Sequence, residues 1–244
     1  MNRVALVTGG SRGIGRACVE RLARDGYSVC FFCRKDVENA DALTQSLRSA
    51  GMDVEWAVCD VASASDVRDQ VGRILRYRHR IDVLINNAGI SRAGLLTDIT
   101  STEWDEVFAV NVRGAFNMCH EVLPGMISRQ SGSVIIISSM WGQVGAACEV
   151  CYSASKAALI GMTKALAKET APSGVRVNCI APGVIDTQMN ARLSPDDMDD
   201  LAAQTPLGRI GSPEDIADAA AFLAGDQSAF LTGQIIGVNG GFVI

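Results

Sequence analysis

Seven short apolar runs alternate with longer stretches of helical periodicity along the chain. VALV (4–7), VCFFC (29–33), VEWAVC (54–59), IDVLI (81–85), SVIIIS (133–138), VRVNCI (175–180) and QIIGV (234–238) are the apolar runs, most of them rich in β-branched residues. Most are apolar throughout instead of alternating with polar positions, which is the pattern of parallel strands covered on both faces. The segments between them, such as 63–77 and 154–170, are long enough for crossover helices, so the alternation predicts an α/β fold with a doubly wound, mostly parallel sheet. No fixed-period repeat or linker rich in Pro, Gly or Ser interrupts the pattern, and we expect one domain over 1–244. Residues 186–211 depart from it: they are amphipathic, acidic in the middle and placed after the sixth run, and they read as a lid over a substrate.

Composition narrows the classes of function. With 244 residues and 48% hydrophobic content, the chain suits one core, because a domain of this size buries about 70–75% of the surface its unfolded form exposes. Eight cysteines, no secretory apolar region and no run long enough to span a bilayer predict a reducing cytoplasm, without disulfides or a membrane span. A formal charge of −5 leaves no basic field for nucleic acid. RYRHR (76–80) reads as a solvated helix end. The only histidines, His79 and His120, are far apart in sequence, and no metal site is expected.

Candidate chemistry begins where the first strand runs into TGGSRGIG (8–15). Glycines at Gly9, Gly13 and Gly15 permit a tight turn, close approach of the backbone to a diphosphate and close helix packing, and a helix starting near Gly13 supplies N–H donors and a positive dipole end. Gly9, Ser11, Arg12, Gly13, Ile14 and Gly15 are therefore candidate dinucleotide ligands. A second stretch, SSMWGQVGAACEVCYSASK (138–156), contains two rival chemistries. Cys148 and Cys151 have redox spacing, but a thioredoxin-like context and a second zinc-ligand pair are missing, so the pair reads as pocket wall, with a regulatory thiol beside Tyr152 as the alternative. Tyr152 and Lys156, four residues apart on a helix, share one face, so the ammonium is expected to pull the phenol below its usual pKa of about 10. Ser139, at the end of the fifth strand, offers a hydroxyl to polarise a carbonyl.

TGGSRGIG, NNAG (86–89), Asn111, Ser139, Tyr152-x-x-x-Lys156 and Pro182-Gly183 occur in the order and spacing of the short-chain dehydrogenase/reductase family, which the chain resembles from Val4 to Gly241. The resemblance implies a Rossmann-type seven-stranded sheet, a nicotinamide cofactor and a catalytic tetrad of Asn111, Ser139, Tyr152 and Lys156. It implies that Asn111 holds a water linking Lys156 to solvent, and that Lys156 also bonds the nicotinamide ribose. It further implies cofactor contacts from Asn87, Ala88 and Gly89, from Asp60 and Val61 near the adenine, and from Pro182, Gly183, Ile185 and Thr187. The second strand ends with Cys33 where an NAD enzyme would have a carboxylate, and Arg34 follows; Arg34 with Arg12 favours the 2′-phosphate of NADP. Asp36 reads as a helix cap or a ribose ligand.

In length, in its glycine turn and in RIGSPEDIA (209–217), the chain most resembles bacterial 3-oxoacyl-[acyl-carrier-protein] reductases. Arg129 matches a basic position used there to dock the acyl carrier protein, whereas Ser173 replaces a second, and NGG (239–241) replaces Asp-Gly-Gly. Trp-Gly-Gln after Ser139 and Cys-Glu-Val before Tyr152 resemble instead the reductases of 5-aminopentanone on elongation factor P, where the carboxylate of Glu149 would suit a substrate ammonium. Ser139, Trp141, Gln143, Glu149, Tyr152 and Met189 are the expected pocket. The apolar tail resembles the one between subunits of family tetramers, so a homotetramer is expected. A non-catalytic dinucleotide sensor is a further alternative, which the intact tetrad disfavours.

Overall fold

The computed structural model describes residues 2–191 and 193–244. Seven parallel strands form one sheet in the order β3-β2-β1-β4-β5-β6-β7: β1 (Val4–Thr8), β2 (Ser28–Cys33), β3 (Val54–Val58), β4 (Val83–Asn86), β5 (Gly132–Ile137), β6 (Val175–Pro182) and β7 (Ile235–Val238). Each lies on one of the predicted apolar runs. On adjacent positions of β2, Phe31 belongs to the core on one face and Phe32 to the core on the other, and both are buried. This two-sided burial is why the strands read as continuous apolar runs. β4 begins two residues later than the IDVLI run because Asp82 is engaged outside the strand: its carboxylate accepts the Val4 amide at 2.8 Å and two bonds from Arg80 Nε.

The helices are α1 (Gly13–Arg24), α2 (Val37–Ser49), α3 (Ala64–Arg78), α4 (Ser101–Phe108), α5 (Gly114–Ser128), α6 (Trp141–Val144), α7 (Val150–Thr170), α8 (Pro195–Gln204) and α9 (Pro213–Ala224). Their starts follow local chemistry. Thr100 with Glu103, Ser194 with Asp197 and Ser212 with Asp215 each form a reciprocal capping box, and proline occupies the first turn of α8 and α9. Between α4 and α5 the chain makes one π-helical turn, Ala109–Arg113, and it contains Asn111. Within 186–211 lie a short 3₁₀ turn at Gln188–Asn190 and α8.

The strand order reverses between β1 and β4, and the carboxyl ends of strands at such a switch point are where open α/β sheets bind ligands. The glycine turn and the NNAG turn leave the sheet there.

Candidate active site

The two turns are interlocked. Gly9 has φ +67°, a conformation L side chains avoid, and a Cβ there would come 3.0 Å from Asn87 Nδ2 and 3.1 Å from Ala88 Cα. Asn87 Nδ2 donates to the carbonyls of Thr8 and Gly9, while the amides of Asn87 and Ala88 both donate to Thr8 Oγ1 at 3.0 Å. Thr8 was not among the sequence candidates, yet its hydroxyl ties the turns together. Gly15 packs on the Gly9 carbonyl so closely that any side chain would collide. The first turn of α1 has no acidic residue, and Arg12, at its N-cap, makes no capping bond. An uncapped, positively polarised helix end beside a glycine cradle fits a diphosphate. Ser11 is buried in this turn, and Ile14 packs on the core below it.

Just after β2, Arg34 Nη1 lies 3.4 Å from Asp60 Oδ2, and Asp60 Oδ1 accepts the Ala62 amide. Cys33 is buried, so no carboxylate occupies its place. Asp36 gives no side-chain cap to α2; its Oδ1 accepts from Asn39, and its buried Oδ2 has no hydrogen-bond partner among the described residues. The Val61 side chain is buried against Gly114. Pro182 accepts the Met140 amide, Gly183 lies against Asn239, and Ile185 is in the core, bridged to Gly211. Thr187 places its methyl 3.3 Å from where a Gly13 Cβ would be.

The tetrad residues converge above β4 and β5. Ser139 follows β5, and its Oγ accepts the Trp141 amide at 3.1 Å. α7 begins four residues before the predicted helical segment, so Tyr152 stands in its first turn and Lys156 one turn on. Lys156 is 3% exposed, and its Nζ donates to the Ile137 carbonyl at 2.8 Å. Asn111, 1% exposed, donates from Nδ2 to the Ile90 carbonyl and to Ser155 Oγ and accepts the Ile90 amide at Oδ1. Ser155 in turn donates to the Tyr152 carbonyl. This Asn111–Ser155 bridge between the π-turn and α7 escaped the sequence reading, although YSASK displays the serine. A Cβ on Gly89 would be 3.3 Å from both Asn111 Oδ1 and Lys156 Nζ, so glycine keeps open the space these two groups face.

The electrostatics correct one expectation. Lys156 Nζ lies 5.5 Å from the centroid of the Tyr152 ring, held there by the Ile137 carbonyl, and the net shift of the phenol is upward. Burial, with a smaller push from the charge of Glu149, raises the Tyr152 phenol to about 12, and the facing Ser139 hydroxyl opposes the rise. Burial lowers Lys156 to about 8. Both shifts favour the neutral form of their group.

On the substrate side, Trp141 meets Phe242 edge to face at 5.7 Å, while Gln143 and Met189 are exposed. Glu149 Oε2 accepts from Ser91 Oγ at 2.8 Å. A hollow of about 400 Å³ is lined by Thr187, Gln188, Leu193 and Met198 among others. Arg129, expected at a docking surface, is half-buried and donates from Nη2 to the Ile81 carbonyl at 2.6 Å. Arg78 of the basic cluster bonds Asp53 and Glu55. All eight cysteines are free thiols, Cys148 exposed and Cys151 buried. No cluster of three or more potential metal ligands occurs among the described residues.

A family model described as enoyl-(acyl carrier protein) reductase matches residues 9–243. The chain is 40% identical over 241 residues to the 3-oxoacyl-[acyl-carrier-protein] reductase FabG of Staphylococcus aureus, covering 99% of this chain and 98% of the relative. It is 40% identical over 244 residues to the FabG of Thermotoga maritima, at 99% and 98% coverage. The uncharacterized oxidoreductase YmfI of Bacillus subtilis is 39% identical over 243 residues, with 99% of both chains covered.

Proposed function

The chain belongs to the short-chain dehydrogenase/reductase family of oxidoreductases, and from that premise we propose that it reduces a ketone to a secondary alcohol at the expense of NADPH. The observation that supports this best is the convergence of Ser139, Tyr152, Lys156 and Asn111 beside a glycine cradle at the switch point of the sheet. When bound, the nicotinamide dinucleotide supplies the hydride, which no side chain can donate. Ser139 holds the carbonyl oxygen as charge develops on it, and Tyr152 protonates that oxygen. A phenol raised to about 12 stays protonated at working pH, as the acid in a reduction must. Lys156, charged below about 8, supports the phenolate left after proton transfer. The space kept open by Gly89 suits a water that returns the proton through Lys156 and Asn111. Arg12 and Arg34 bind the 2′-phosphate, and 186–211 is the lid.

The leading substrate is a 3-oxoacyl thioester on acyl carrier protein, supported by the names of the two FabG relatives. A second reading, an aminopentanone on elongation factor P, draws on Glu149, whose charge reaches Tyr152. Purified protein assayed with NADPH against acetoacetyl thioesters and amino ketones tests the choice. Higher kcat/KM on thioesters supports the first reading and higher kcat/KM on amino ketones the second. Tight NADPH binding with no turnover on any ketone would make the protein a sensor.

Exposed Phe222, Phe230 and Ile244 in the C-terminal segment support a homotetramer. Free thiols throughout support a reducing, cytoplasmic setting. No helix among the described residues is long and apolar enough to cross a membrane.

A further inference from the structure

Arg12 stands at the N-cap of α1 with an extended backbone, and its side chain reaches across to the segment after β6, where Nη1 donates to Gln188 Oε1 at 2.8 Å. The backbone at Gln188 is pinned from both sides. Asp186 donates its amide to the Gly211 carbonyl at 2.9 Å, Asn190 donates its amide to the Thr187 carbonyl at 3.0 Å, and Asn190 Nδ2 donates to the Ile185 carbonyl at 2.8 Å. One residue before Gln188, the Thr187 methyl is seated against Gly13. The carboxamide therefore acts from a fixed platform on the side chain at the start of α1.

We propose that Gln188 is a positioning residue for coenzyme selection: it holds the Arg12 guanidinium in register for the 2′-phosphate of NADPH. The inference rests on the reading of Arg12 as a phosphate ligand. An arginine presents five N–H donors in a planar fork. Gln188 engages one of them and leaves the others for phosphate oxygens. Fixing the fork in advance reduces the rotamer freedom that coenzyme binding must otherwise remove, and a bidentate contact to phosphate depends on that orientation. A neutral amide suits this position, because a carboxylate there would hold the arginine more tightly but repel the phosphate.

The test compares Gln188→Met, which keeps length without an acceptor, and Gln188→Glu, in the wild-type and Arg12→Ala backgrounds, reading KM for NADPH and for NADH. Gln188→Met should raise KM for NADPH about two- to fivefold and lower the NADPH:NADH preference by the same factor. Gln188→Glu should lower the preference further, and Gln188→Met should not alter it once Arg12 is alanine. A wild-type protein without preference for NADPH overturns the phosphate reading and this inference with it. A clear wild-type preference that Gln188→Met leaves unchanged or increases overturns the inference alone, as does a Gln188→Met effect that persists in Arg12→Ala.

Discussion

Lys156 Nζ lies over the Tyr152 ring, 5.5 Å from its centroid, and spends a hydrogen bond on the Ile137 carbonyl at the end of β5. The amine is thus fixed by the sheet, and its buried position lowers its pKa to about 8 while the phenol rises to about 12. Ketone reduction should then be flat in pH below about 8 and decline above it, as Lys156 loses the charge that supports the forming phenolate. The pH profile of kcat/KM checks this: the alkaline limb should start near 8 and be missing from the residual activity of Lys156→Ala. A wild-type profile flat to pH 10 would contradict the role given to Lys156.

Arg34, the second guanidinium proposed to meet the 2′-phosphate, lies 3.4 Å from Asp60. We expect the wild type to prefer NADPH by at least about tenfold, a modest return on a charge-assisted phosphate contact. Arg34→Asp should reverse most of that preference, because it removes a phosphate partner and adds a carboxylate that repels the 2′-phosphate. Equal use of both coenzymes by the wild type would show that Arg34 serves only Asp60.

Glu149→Gln separates the two substrate readings. The carboxamide oxygen can still accept from Ser91 Oγ, so the loop keeps that bond while the charge is removed. If the natural ketone carries an ammonium, its KM should rise at least about tenfold, the value of a hydrogen bond to a charged group, while acetoacetyl thioesters should be reduced as well as before. Equal impairment on both substrates would restrict Glu149 to holding the loop. No effect on either would place it outside the pocket.

How far the sequence revealed this arrangement depended on the range of the interactions involved. The strands were legible because burial on both faces leaves unbroken apolar runs such as VLI in β4. The Tyr152–Lys156 pairing on one face was legible because helical periodicity is local. What governs the site's electrostatics was not. The Lys156–Ile137 bond joins residues 19 apart, and the Arg34–Asp60 contact spans 26, so neither leaves a periodic trace. The π-turn that presents Asn111 arises from a shift in hydrogen-bond register, which no residue pattern in AVNVR announces. Arg129 matched a docking position by its place in the chain, yet it is drawn inward by the Ile81 carbonyl.

The proposed reduction depends above all on the Tyr152 phenol donating the proton that completes it. The direct test is single-turnover oxidation of NADPH by enzyme saturated with acetoacetyl thioester, comparing the wild type with Tyr152→Phe, alongside NADPH affinity measured by fluorescence. The ring remains in the variant and only the transferable proton is lost, so the rate should fall by roughly three orders of magnitude or more while NADPH affinity changes by less than about threefold. Oxidation at the wild-type rate by Tyr152→Phe would contradict the account.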